Sequence, residues 1–153
     1  MQRASAPCSP ASGIHIVVPI TWDFQPGVLI VKTIDVYTND ELVQAVEEIM
    51  KDSRFSSLLT VVFDARLSAA PLKKEDIEWR VNSLADHLWR RGFGRRMAFV
   101  VPPDKPARYG VGRMLQMLTE SKGFEIELFR ELGDAMKWAL ETREVERNDN
   151  SPP

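Results

Sequence analysis

Residues 96–140 read RMAFVVPPDKPARYGVGRMLQMLTESKGFEIELFRELGDAMKWAL. Met97–Val101 is an apolar run cut by Pro102-Pro103, and because proline cannot donate to a strand ladder the run predicts a short buried strand. Val111, Met114, Leu115 and Leu118 then recur at helical spacing up to Glu120. Phe124–Phe129 alternates, with Phe124, Ile126 and Leu128 on one face. Leu132, Ala135, Met136, Ala139 and Leu140 mark an amphipathic closing helix. Strand, glycine-bearing loop, helix, strand and helix with almost no filler is a unit of an α/β fold. It also says where to look for a site, because ligands of open parallel sheets sit beyond the carboxyl ends of the strands.

Towards the amino terminus the same rhythm continues. Pro71–Arg91 carries Ile77, Val81, Leu84 and Leu88 at helical spacing, with Gly92 as its stop. Leu58–Phe63 is a short apolar run ending at Asp64, as expected of a strand covered on both faces. Thr38 and Glu41 have capping-box spacing and open a helix whose inner face is Leu42, Val46, Ile49 and Met50. Ile14–Ile20 and Val28–Ile34 are β-rich runs separated by a segment containing Pro26-Gly27, so they predict an antiparallel hairpin. Strands alternating with helices require right-handed crossovers and a mostly parallel sheet. The loops to search are then Asp35–Tyr37, Asp64–Ser68, Pro102–Arg113 and Arg130.

The chain's 153 residues, 44% hydrophobic and 27% charged, suit one soluble domain able to bury about 68–70% of its unfolded surface without metal or disulfide staples. A net charge of −2 gives no general affinity for polyanions, and the single cysteine, Cys8, excludes an intrachain disulfide. Residues 1–13 are rich in Ala, Ser and Pro, and residues 141–153 run from charged to polar to Pro-Pro. Both are expected to be disordered tails around a domain at 14–140. No apolar run has the length of a signal core or a membrane span, which makes a cytoplasmic protein the expectation.

The order hairpin, helix, strand, helix, strand, helix, strand, helix carries local matches in FDAR at 63–66, AFVVPPD at 98–104, RYGVGRM at 108–114 and ELFRELGDAMKWAL at 127–140. Together they resemble the SpoIIAA-like, or STAS-type, bacterial domains, in the small stand-alone branch labelled STAS/Sec14-like, from about Val28 onward. The resemblance implies a two-layer α/β sandwich with a mostly parallel sheet of about five strands and four helices. It also implies a regulatory or ligand-binding role with no assigned chemistry. Antagonists of anti-sigma factors with this fold carry a phosphorylatable serine in an Asp-Ser-Ser-Gly type sequence. Here the region reads FDARLSAAPLKKED, and Ser68, its only hydroxyl before Ser83, has neither the preceding aspartate nor the following glycine. The phospho-switch is therefore not implied.

Several features carry chemistry. Gly110 and Gly112 match the first two positions of GxGxxG, but Leu115 replaces the third glycine, so the pair reads as close packing of helix on sheet rather than a dinucleotide site. Lys105, Arg108 and Arg113, with Tyr109 among them, lie around the amino end of the third helix, where an anion is favoured, and Arg66 could converge from the next strand. Arg90–Arg113 holds seven Lys/Arg and one Asp, a net of +6 against −8 for the rest. These cations fall at opposite ends of a strand, however, which argues against nucleic acid.

On the second helix, with Ile77 at zero, Val81, Leu84 and Leu88 fall within about 40° of it and Trp79 near 200°, away from the core. An outward tryptophan asks for something to cover it. Trp22 and Trp138 read as packing residues. His15 and His87 have no metal-ligand spacing and no nucleophile between them, and Asp64 can pair with Arg66 or cap the following loop.

The sequence thus predicts a non-enzymatic regulatory or protein-interaction module, as a homodimer or with a protein partner, with no catalytic residues, no metal and no cofactor. Its binding residues would be Asp64, Arg66, Ser68, Trp79, Arg108, Tyr109 and Arg113. The alternative is a carrier or sensor of a small apolar or anionic ligand, such as a fatty acid or lipid, held between the second helix and the sheet. Neither reading involves nucleic acid or a membrane span.

Overall fold

A computed structural model of the chain describes residues 18–68, 74–79, 82, 91–102, 106–120 and 123–149. Five strands, β1 (Ile20–Gln25), β2 (Val28–Asp35), β3 (Thr60–Ser68), β4 (Arg96–Val100) and β5 (Glu125–Phe129), form one mixed sheet in the order β1-β2-β3-β4-β5. The β1–β2 pair is antiparallel and the other neighbours are parallel. Helix α1 (Asn39–Lys51) joins β2 to β3, the six-residue α2 (Lys74–Trp79) lies between β3 and β4, α3 (Pro106–Glu120) joins β4 to β5, and α4 (Leu132–Asp149) follows β5.

Local chemistry accounts for most boundaries. Pro26 and Gly27 make the two-residue turn of the hairpin, with Gly27 at φ 78°, a conformation glycine enters without a Cβ clash. Of the strand expected over Ile14–Ile20, residues 14–17 lie outside the described residues; Val18 and Pro19 are not strand, and β1 runs from Ile20 to the turn, with Ile20, Trp22 and Phe24 alternating with polar residues. The capping box of α1 is complete: the Glu41 N–H donates to Thr38 Oγ1 (3.1 Å) and the Thr38 N–H to Glu41 Oε1 (3.0 Å). Of the helix expected over Pro71–Arg91, Lys74–Trp79 is helical, and the rest of that span, Asn82 and Arg91 apart, lies outside the described residues. The last helix continues to Asp149 instead of ending at Leu140, through a Glu- and Arg-rich stretch of good helix formers.

The connections through α1 and α3 advance the same way across the sheet, so a common handedness puts these two helices on one face. Leu42, Ala45, Val46 and Ile49 of α1 pack there on Trp22, Leu29, Val31, Val61 and Phe63. Gly112 of α3 comes so near the same face that an added Cβ would lie 2.9 Å from Leu128 Cδ2. Fully burying a side chain such as Ile49 contributes about 1.5–3 kcal/mol. The opposite face is built from Val28, Val62, Ala98 and Val100, against which α4 sets Ala135 and Ala139. Helices therefore cover both faces, and the expected two-layer sandwich is corrected to three layers. The reason is that α4 is a terminal helix and not a crossover, and small side chains on both surfaces let it seat closely. Leu140, expected inward, is exposed, and so is Leu58, which precedes β3 rather than opening it.

Candidate functional site

The carboxyl edge of the sheet is organised by an irregularity in β3. Along β2 the register advances from Lys32 to Ile34 while along β3 it advances from Asp64 to Leu67, so β3 carries one extra residue there. Strand side chains alternate between faces, and one inserted residue reverses the parity of everything after it. Asp64 lies on the α4 face, in register with Lys32 and Val100. Ser68 is delivered to the α1 face, where its buried hydroxyl is hydrogen-bonded to that of Thr33. The segment Asp64–Ser68, expected as a loop after a strand end, is strand throughout.

Asp64 is 3% exposed and chelated by its neighbour. Arg66 Nε donates to Oδ1 (2.9 Å), Nη2 to Oδ2 (2.9 Å) and the Arg66 backbone N–H to Oδ1 (3.2 Å). Burial pushes the Asp64 pKa up, but these bonds and the charges of Arg66 and Lys32 outweigh it, so the carboxyl titrates below the usual aspartate range. An ionised carboxylate with both oxygens engaged is a poor proton shuttle. What it does well is aim a guanidinium. Two of the five N–H donors of Arg66 are used on Asp64, and its half-exposed head sits in the field of Glu131, just ahead of α4.

Exposed apolar side chains follow at the ends of β2, β3 and α2. Leu67, in register with Ile34, is 55% exposed. Asp35 takes a left-handed conformation (φ 55°), which aspartate tolerates better than most residues, and the chain leaves β2 with Val36 64% exposed. Trp79 at the end of α2 is 38% exposed.

The remaining site residues do not converge here. Arg113 is exposed and donates to Gln116 Oε1 (2.8 Å) on α3, whose Gln116 Nε2 in turn donates to the Ile126 carbonyl (2.6 Å). It lies roughly 10 Å along the axis from the start of α3, beyond the reach of a helix-end anion site, and α3 packs on the face opposite Asp64. The side chains of Arg108 and Tyr109 lie outside the described residues. Gly110 and Gly112 both fall inside α3, not in a loop, so they do not form a phosphate cradle. Gly112 alone serves close packing, since an added Cβ at exposed Gly110 would meet nothing. Arg91 pairs with Glu47, and Arg96 with Glu125 (3.0 Å), which further divides the cationic stretch.

Sequence reasoning missed Thr33, and it covered Leu67 and Val36 only as members of the segments Asp64–Ser68 and Asp35–Tyr37 without singling them out. Thr33 stands out only as the single hydroxyl in the apolar alternation of β2, and Leu67 would be taken as buried until the extra residue is known. Among the described residues there is no cluster of three or more potential metal ligands and no helix long and apolar enough to cross a membrane. Comparison with known proteins returned no match to any family, curated sequence or solved structure.

Proposed function

We propose that the chain is a non-enzymatic regulatory or protein-interaction module of the SpoIIAA-like type, cytoplasmic, acting as a homodimer or on a protein partner. The observation that carries this reading is the carboxyl edge itself, where Leu67 and Val36 are exposed at the ends of β3 and β2 and the guanidinium of Arg66 is held by Asp64. Tryptophan and arginine anchors surrounded by apolar surface are what protein interfaces concentrate, and exposed Trp79 adds to that composition. The engaged state of Asp64 and the buried, paired hydroxyl of Ser68 support binding over catalysis or phosphorylation.

Sedimentation of the full chain over a range of concentrations tests the proposal, alongside Leu67→Asp and Trp79→Ala. Expected is a dimer whose dissociation constant rises at least about tenfold in each variant, equivalent to about 1.4 kcal/mol. A monomer that carries a small organic molecule through native mass spectrometry would replace this reading with that of a carrier.

A further inference from the structure

A second surface lies on another part of the molecule, where edge strand β1 meets α1. The Ile34 N–H donates to the Pro19 carbonyl (2.8 Å), and the register pairs Thr21, Asp23 and Gln25 with Lys32, Ile30 and Val28. By antiparallel parity those odd-numbered residues turn their backbone groups towards β2, so the N–H and C=O groups of Trp22 and Phe24 point to the side of β1 on which no described strand lies. Beside this edge runs a groove of about 150 Å³ between Val18, Pro19, Ile20 and Trp22 on one wall and Glu41, Gln44, Ala45 and Glu48 on the other. Glu41, Gln44, Ala45 and Glu48 follow helical spacing, so they form one stripe of α1 alongside the strand.

Two further observations bear on what fills it. Trp22 is 2% exposed, yet its buried Nε1–H has no acceptor among the described residues. A buried donor left so costs about 1–3 kcal/mol, and a tryptophan in such a place ordinarily finds a partner. The helix wall offers two carboxylates and an amide but no cation. Pro19 and Pro26 bound the strand and limit pairing to a short stretch, which suits a peptide better than a long sheet-to-sheet seam.

The geometry points to a peptide-docking groove: a short extended segment with Lys or Arg at alternate positions adds as a strand to β1 and rests on α1. Its backbone pairs with Trp22 and Phe24, its cations meet Glu41 and Glu48, and a shift of the Trp22 ring on docking brings the indole N–H to a peptide acceptor. Main-chain pairing supplies affinity and the acidic wall supplies selectivity.

Selection from a displayed random-peptide library on the full chain tests this, followed by amide exchange and the assigned indole resonance of Trp22. Expected are peptides enriched in Lys or Arg at alternate positions that slow exchange at Trp22 and Phe24 and move the Trp22 indole signal. Their binding should weaken with salt and fall at least tenfold in Gln44→Lys/Glu48→Lys. Those two exposed positions leave the capping box at Glu41 intact, and circular dichroism checks that the fold is kept. Recovery of no peptide, of peptides without cationic bias, or of peptides whose footprint lies elsewhere overturns the proposal. So does slow exchange at Trp22 and Phe24 in the peptide-free chain. If that protection vanishes on dilution the edge is taken by a second copy, and if it persists the segment before Val18 takes it.

Discussion

Two Asp-x-Arg sequences in this chain adopt one geometry in different surroundings. Asp52–Arg54 closes the turn after α1, with Arg54 Nε and Nη2 donating to the two carboxylate oxygens at 2.9 and 2.8 Å and the Arg54 N–H to Oδ1 at 2.9 Å. Asp64–Arg66 repeats this within a strand at 2.9, 2.9 and 3.2 Å. Asp52 is lowered to about 2, chiefly by the side-chain hydrogen bonds from Arg54, with little burial to oppose them. Asp64 is lowered against a burial penalty that is the largest single influence on it. The same local chelate is thus a surface clasp in one place and, in the other, what allows a charge to exist inside a sheet.

The largest effect should come from removing the buried partner. Arg66→Ala leaves the buried Asp64 without its hydrogen-bonded partner and should cost about 2–3 kcal/mol in urea unfolding, the low end for a broken buried pair because the guanidinium is partly solvated and the charge of Lys32 remains. A loss no greater than that of a surface variant would erase the distinction between the two clasps. Replacing both members, as Asp64→Leu with Arg66→Met, should cost less than Arg66→Ala alone, since no buried charge remains. A double replacement worse than the single would mean that the pair stabilises the bulged strand in its own right.

Acid sharpens the comparison further. Both aspartates titrate lower in the folded chain than their unfolded value of about 3.9, so the unfolded state binds more protons between the two pKa values and stability rises with pH there. The contribution is complete above about pH 4 and is lost as pH falls through the folded values, near 2 for Asp52. Asp52→Asn should flatten the acid limb of a stability–pH curve only slightly, because the clasp is largely solvated, and a flattening larger than the loss in Arg66→Ala would reverse the ranking of the two clasps. The smallest effect belongs to Arg54→Ala. Its thermal midpoint should stay close to that of the parent, because an exposed pair gains little over water.

Much of this architecture was legible in the sequence where the cause is local. The Pro26-Gly27 turn, the Thr38/Glu41 box and the alternation of Phe124, Ile126 and Leu128 each rest on neighbours within a few residues. So did the pairing of Asp64 with Arg66, one of two readings the spacing allowed. What escaped depends on partners far along the chain. The extra residue in β3 exists only relative to β2, and with it went the location of Ser68, the exposure of Leu67 and the role of Thr33. Covering of the second face by α4 is decided by Ala98, Ala135 and Ala139 meeting, which no single segment announces. The orphan Trp22 N–H is equally invisible, since a core tryptophan with a partner and one without are spelled alike.

The extra residue in β3 also governs how this chain can be compared with others. A relative lacking it would align correctly up to Asp64 and then require a one-residue gap before Leu67. Aligned without that gap, a serine written under Ser68 would occupy the opposite side of the sheet in its own protein, and a shared letter would be mistaken for a shared position.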